Sequence, residues 1–162
     1  MYRIEHLGVV YPGRPFDTRE DVEVELVLPA EFAPDRENIH GVSTGEGDVN
    51  ERVNRLSGEF VDRAEDADII HTHDWFGYGP GSRARRTHDV TWVSTFHSLT
   101  TDRNRNPPDR ELETEQRIVD SADYLIAVSD LVRRELEGQY GGDAHVIHNG
   151  FSSVETTGRD VK

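Results

Sequence analysis

The sequence predicts an α/β fold: a single Rossmann-like domain with a mostly parallel sheet of about four or five strands and helices on both faces. Three observations carry that expectation. Short apolar runs recur at residues 22–29, 68–72, 91–96, 123–128 and 144–148. Between them lie stretches with helical spacing or turn chemistry, and such alternation means βαβ units and a parallel sheet. Two of the runs end in proton-handling side chains, Asp68-Ile-Ile-His71-Thr-His73-Asp74-Trp75 and Val93-Ser-Thr-Phe-His97-Ser98. Open α/β sheets bind ligands outside the carboxyl ends of their strands, so these residues are site candidates.

The elements follow in order. Val22-Glu-Val24-Glu-Leu26-Val-Leu28-Pro29 alternates and then becomes continuously apolar, as a strand closed by proline does. Residues 31–47, rich in Pro, Asn, Gly and charge, read as loop. Val49, Val53, Leu56, Phe60 and Ala64 then keep helical spacing, with Asp48 as N-cap and Glu51 three residues on. Residues 68–72 and 91–96 read as buried strands, with 83–88 between them as a short exposed helix or turn. Residues 100–110 form a polar loop, and Asp109 is placed to cap a helix running to about Ser121. After the strand at 123–128, Ser129-Asp130 starts a helix that stops at Gly141-Gly142. A last short strand ends at Asn149-Gly150.

At 162 residues the chain suits one domain, because a chain of this size buries roughly 70% of its unfolded surface. The expected division is a domain over 1–151, with 1–20 a degenerate first strand and loop, and a polar tail over 152–162. Formal net charge is -14, and of the 18 Lys+Arg residues only Lys162 is lysine. Such composition suits a salt-saturated cytosol, where multimolar salt screens self-repulsion to within about 3 Å. Nucleic acid is not an expected partner, because there is no basic stripe to meet phosphates. Cysteine is absent, which excludes disulfides, a thiolate nucleophile and Cys-ligated zinc. No apolar run approaches the roughly 20 residues of a transmembrane helix, and the first ten residues lack a secretory pattern, so a cytoplasmic protein is expected.

Three motifs compete for other chemistry. Gly41-Val-Ser43-Thr-Gly45 matches a nucleophile elbow, but Asp35-Arg-Glu-Asn38 before it and Glu46-Gly47 after it favour a loop over the strand and helix a hydrolase needs. His71-Thr-His73 puts two imidazoles on one face of a strand. A metal is not expected there, since no aspartate stands two residues after the second histidine. Gly77-Tyr-Gly79-Pro-Gly81-Ser82 is glycine-rich but is neither G-x-G-x-x-G nor a P-loop, and reads as a loop entering a helix.

Taken together, D-I-I-H-T-H-D-W, V-S-T-F-H-S, S-A-D-Y-L-I-A-V-S-D and Y-G-G-D-A-H-V-I-H-N-G resemble the N-terminal half of retaining glycosyltransferases of family 4, which have the GT-B fold. The resemblance covers about residues 22–151. It implies an acceptor-side half that faces a nucleotide-sugar half across a cleft, with transfer that retains anomeric configuration. His97 and Asp74 would be the catalytic candidates. His73, Trp75, Ser98, Asn149 and Gly150 would bind substrate. No cofactor is implied beyond the nucleotide sugar as donor substrate. The implied partners are an acceptor sugar or glycolipid and a chain supplying the donor half. Residues 4–10 resemble the family's first strand, but the glycine-rich turn and first helix that should follow are absent. Pro12 to Asp21 is too short for a parallel crossover, so the segment is expected to pair differently, form an edge or stay loose. The alternative to a transferase is a non-catalytic domain that binds a glycan or another transferase, with a hydrolase as a third reading.

Overall fold

The structure, a computed structural model, describes residues 2–7 and 22–150. Seven strands form one sheet: β1 (Tyr2–Leu7), β2 (Val22–Pro29), β3 (Ile39–Val42), β4 (Ile69–His73), β5 (Thr91–Phe96), β6 (Tyr124–Ala127) and β7 (Ala144–Val146). Their order is β3-β2-β1-β4-β5-β6-β7, and every neighbouring pair is parallel. The helices are α1 (Val49–Arg63), α2 (Tyr78–His88), α3 (Thr100–Arg103), α4 (Asp109–Ser121) and α5 (Asp130–Tyr140).

Local signals explain the boundaries. Asp48 accepts the Glu51 amide at 3.0 Å while the Glu51 carboxylate accepts the Asp48 amide at 3.1 Å, the reciprocal capping box its sequence predicts. Ser129 caps α5 through the Val132 amide at 3.2 Å, and Gly141, at φ 71°, closes it in the left-handed conformation.

Connection handedness places the helices. The steps β3 to β4, β4 to β5, β5 to β6 and β6 to β7 all cross the sheet in one direction, so right-handed crossovers put α1, α2, α4 and α5 on the same face. They cover Val27, Ile70, Trp92, Phe96, Leu125, Ala127 and Ala144, and with Leu56, Phe60, Ala84, Ile118, Val132 and Leu136 these make one continuous core. The opposite face of β4 to β6 is less covered: Ile69, Val93 and Ile126 are only half-buried there and Tyr124 is 55% exposed.

The glycine-rich segment after β4 serves this packing. It forms a 3-10 turn over Trp75–Gly77 and then α2 itself, longer than the short helix expected at 83–88. A Cβ on Gly77 would stand 2.6 Å from the Thr72 side chain, and one on Gly81 would stand 2.4 Å from the Trp92 indole. Both glycines therefore let α2 lie directly on β4 and β5.

Besides the longer α2, and the start of α4, where Pro108 and not Asp109 is the N-cap residue, the structure departs from expectation in four further places. The sheet is wider than four or five strands. Part of the loop at 31–47 is edge strand β3, too short and too glycine-interrupted to show a period. Thr100–Arg103 is a helical turn within the polar loop. Most importantly, β1 is neither an edge nor loose: it pairs parallel with β2 on one side and β4 on the other. The strand ends at Leu7, so residues 8–21 are available between β1 and β2, which meets the dozen or so a parallel crossover needs. The rest of the segment expected at 4–10, and the tail from 152, lie outside the described residues.

Candidate functional site

The chain leaves β1 towards β2 on one side, and β4 begins the walk in the other direction, so the sheet's switch point lies between β1 and β4. Ligand crevices form outside the carboxyl ends of strands at such a point. The carboxyl end of β4 is His71-Thr72-His73, followed by Asp74, and β5 beside it runs into His97.

Alternation along β4 puts His71 and His73 on one face and buried Thr72 on the other, where its hydroxyl accepts from the Trp92 indole at 2.9 Å. His71 Nε2 lies 2.7 Å from the Thr95 hydroxyl, and its ring centroid is 4.6 Å from that of His73. His73 Nδ1 is 2.8 Å from His97 Nε2, with the two rings stacked at 5.1 Å. Burial pushes His71 down from 6.5 to about 4, helped by the charge that His97 would carry. Burial pushes His73 down to about 3, helped by His71 and His97. His73 is therefore neutral at ordinary pH, and one N–H is shared between the two rings. His97 is itself exposed, so its ring is reachable from the sheet edge.

Asp74 is built differently from its neighbours. Its backbone sits at φ 51°, ψ -174°, a region that side chains other than hydrogen rarely enter. Its amide donates to the Thr95 carbonyl at 2.9 Å, and its Oδ1 accepts the His97 amide at 3.0 Å, which ties the ends of β4 and β5 together. Its Oδ2 faces the Arg103 guanidinium at 3.7 Å. A buried carboxylate held in a strained backbone beside paired imidazoles is the kind of outlier that clusters at functional sites.

The structure thus brings together His73, Asp74 and His97, with half-buried Ser98 next in sequence. Trp75 follows Asp74 in the 3-10 turn, edge-on to Phe76 with centroids 6.0 Å apart. Asn149 and Gly150 are not in this cluster. They follow edge strand β7, two strands beyond β5 and on the order of 10 Å across the sheet. Ser43 of the elbow-like motif does follow a strand, but β3 is the opposite edge and α1 starts only at Val49. Thr44 beside it is buried and held by the side chains of Arg52 and Arg55, so this turn serves the packing of α1.

Sequence reading missed Arg103 and Glu115. Arg103 stood in an apparently featureless polar loop. Glu115 had left a signal: it falls on the apolar stripe of α4, between Leu112 and Ile118, and a charge at a core position needs partners.

The sequence matches the family model for Glycosyltransferase Family 4 over residues 18–153. The chain belongs to glycosyltransferase family 4. Among curated relatives, the D-inositol 3-phosphate glycosyltransferase of Gordonia bronchialis is 35% identical over 101 residues, covering 58% of this chain and 21% of that protein. That of Paenarthrobacter aurescens is 32% identical over 118 residues, covering 68% of this chain and 26% of that protein. This family 4 chain therefore spans about a fifth to a quarter of these relatives. Among solved structures, the sucrose-phosphate synthase of Thermosynechococcus elongatus superposes with a TM-score of 0.73 at 16% identity, over 93% of this chain and 49% of that one. HepE of Anabaena, solved with UDP and glucose, gives 0.65 at 16% identity, over 93% and 45%. At such identities the likeness is one of fold, and it extends over about half of each structure.

Proposed function

We propose that this chain forms the acceptor-side half of a retaining glycosyltransferase that moves a sugar from a nucleotide-sugar donor to an acceptor, with the donor pocket supplied by a second half. The observation that carries the proposal is the cluster of His73, Asp74 and His97 at the carboxyl ends of β4 and β5, beside the switch point of a family 4 chain.

The chemistry suits that position. As a glycosidic bond loosens, the sugar develops oxocarbenium character and its hydroxyls become better hydrogen-bond donors. A nitrogen held ready to accept or donate at the sheet edge stabilises that change without reorganising. Neutral His73 fixes the His97 ring, and Asp74 fixes the His97 backbone, so the ring is oriented before substrate arrives. Asp74, His73, Trp75 and Ser98 would line the acceptor side, and Asn149-Gly150 would lie towards the second half. The acidic, lysine-poor composition fits work in a salt-rich cytosol.

The test is transfer of labelled nucleotide sugars in multimolar KCl, by the chain alone and with extract from its source. Turnover with extract, lost on His97→Ala, is the expected result. Unchanged turnover in His97→Ala would remove His97 from the mechanism. The alternative is a domain that binds a glycan without turning it over. Glycan binding without turnover in any mixture would establish it.

A further inference from the structure

Glu115 is fully buried on α4, and two of its partners, Thr100 and Arg103, lie in the segment that follows β5. One oxygen accepts the Thr100 amide at 2.8 Å and the Thr100 hydroxyl at 2.7 Å. The other accepts the Tyr140 hydroxyl of α5 at 2.6 Å. Burial and the Glu115 carboxylate raise the Tyr140 phenol well above its ordinary range, so Tyr140 stays a donor. The Arg103 guanidinium, at the end of α3, lies 3.6 Å from Glu115 and 3.7 Å from Asp74.

These contacts close a circuit. Asp74 holds the His97 amide at 3.0 Å, Asp102 holds the Leu99 amide at 2.9 Å, and Glu115 holds the Thr100 amide at 2.8 Å. The segment that leaves β5 is thus gripped by three carboxylates within four residues, and Arg103 bridges two of them. A buried ion is costly unless its partners are complete, and replacing it with apolar residues often leaves stability unchanged or improved. Stability alone is therefore a weak reason for a carboxylate here. Fixing one geometry is a better one.

We propose that Glu115 is a positioning residue: through Thr100 and Arg103 it sets where the His97 segment sits relative to the Asp74 carboxylate. This rests on the reading of His97 and Asp74 as the working site, but its first test does not. Histidine-ring NMR spectra of the full chain, recorded at one neutral pH in KCl, compare Glu115→Gln with Asp123→Asn, which loosens a clamp at the other end of β5. Glu115→Gln should move the ring signals of His97 and His73 and leave those of His40 and His145 in place, while Asp123→Asn should leave all four. Static His97 and His73 signals in folded Glu115→Gln, or equal movement in Asp123→Asn, would overturn the proposal. If Glu115→Gln does not fold, Arg103→Gln at the half-exposed end of the circuit takes its place with the same expected and overturning outcomes. With the assembled enzyme, Glu115→Gln should lower kcat roughly tenfold to a hundredfold, as a misplaced group does, and Asp123→Asn should not. Moved rings with unchanged turnover in His97→Ala would sink the functional reading and leave the positioning role standing.

Discussion

Strand β5 is held at each end by an aspartate that accepts a backbone N–H, and the two ends are not alike. At the amino end Asp123 takes the Trp92 amide at 2.9 Å and pairs in a fork with Arg85 at 2.9 and 2.7 Å. The Arg85 guanidinium holds the Asp123 carboxyl below its ordinary range, and the clamp joins α2 to the entry of β6. At the carboxyl end Asp74 takes the His97 amide at 3.0 Å, but its backbone is strained and its guanidinium is at 3.7 Å and shared with Glu115. The first arrangement is complete in itself. The second combines a strained backbone, a shared guanidinium and an exposed imidazole, which is what separates a candidate site from a staple of the fold.

That comparison can be broken or sharpened by experiment. The largest expected effect is at the carboxyl end: His97→Ala should cut turnover of the assembled enzyme by roughly a hundredfold to a thousandfold while circular dichroism and melting stay close to wild type. At the amino end the pattern should reverse. Asp123→Ala leaves the Trp92 amide without its acceptor and should cost about 1–3 kcal/mol in urea unfolding, with turnover retained.

The strain at Asp74 offers a finer test. Asp74→Gly and Asp74→Ala both remove the carboxylate, but only glycine is comfortable at φ 51°, ψ -174°. Asp74→Gly should be the more stable of the two by about 1–3 kcal/mol, and both should be inactive. Equal stabilities would mean that the backbone there is not strained.

Smallest per unit of pH is the histidine effect. His71 and His73 stay neutral in the fold down to about 4 and about 3, while the unfolded chain protonates them near 6.5. Below that value the unfolded state binds more protons, so stability is full above pH 6.5 and falls as pH drops towards 4 and then 3. The slope is at most about 1.4 kcal/mol per pH unit for each ring. Urea midpoints at pH 7 and pH 5 should show the loss, and His73→Gln should flatten it.

Much of this is legible in the sequence alone. The caps at Asp48 and Ser129, the stop at Gly141 and five of the strands follow from spacing and turn chemistry, because those signals act between neighbours in the chain. Strand β3 was not legible, since four residues with a glycine carry no period. Nor was the role of Gly77 and Gly81, whose meaning lies in a Thr72 and a Trp92 that other elements bring close.

By itself the sequence determined that helices and strands alternate, and that His71, His73, Asp74 and His97 stand where strands end. Only the tertiary structure decided that β1 runs through the middle of the sheet, that His73 lies level with Thr95 so that its ring meets His97, and that Glu115 closes a circuit to Asp74 through Arg103. The reason is physical. Periodicity and capping are set by residues within a turn or two of each other, whereas register, handedness and a shared buried charge join residues that the chain alone keeps far apart.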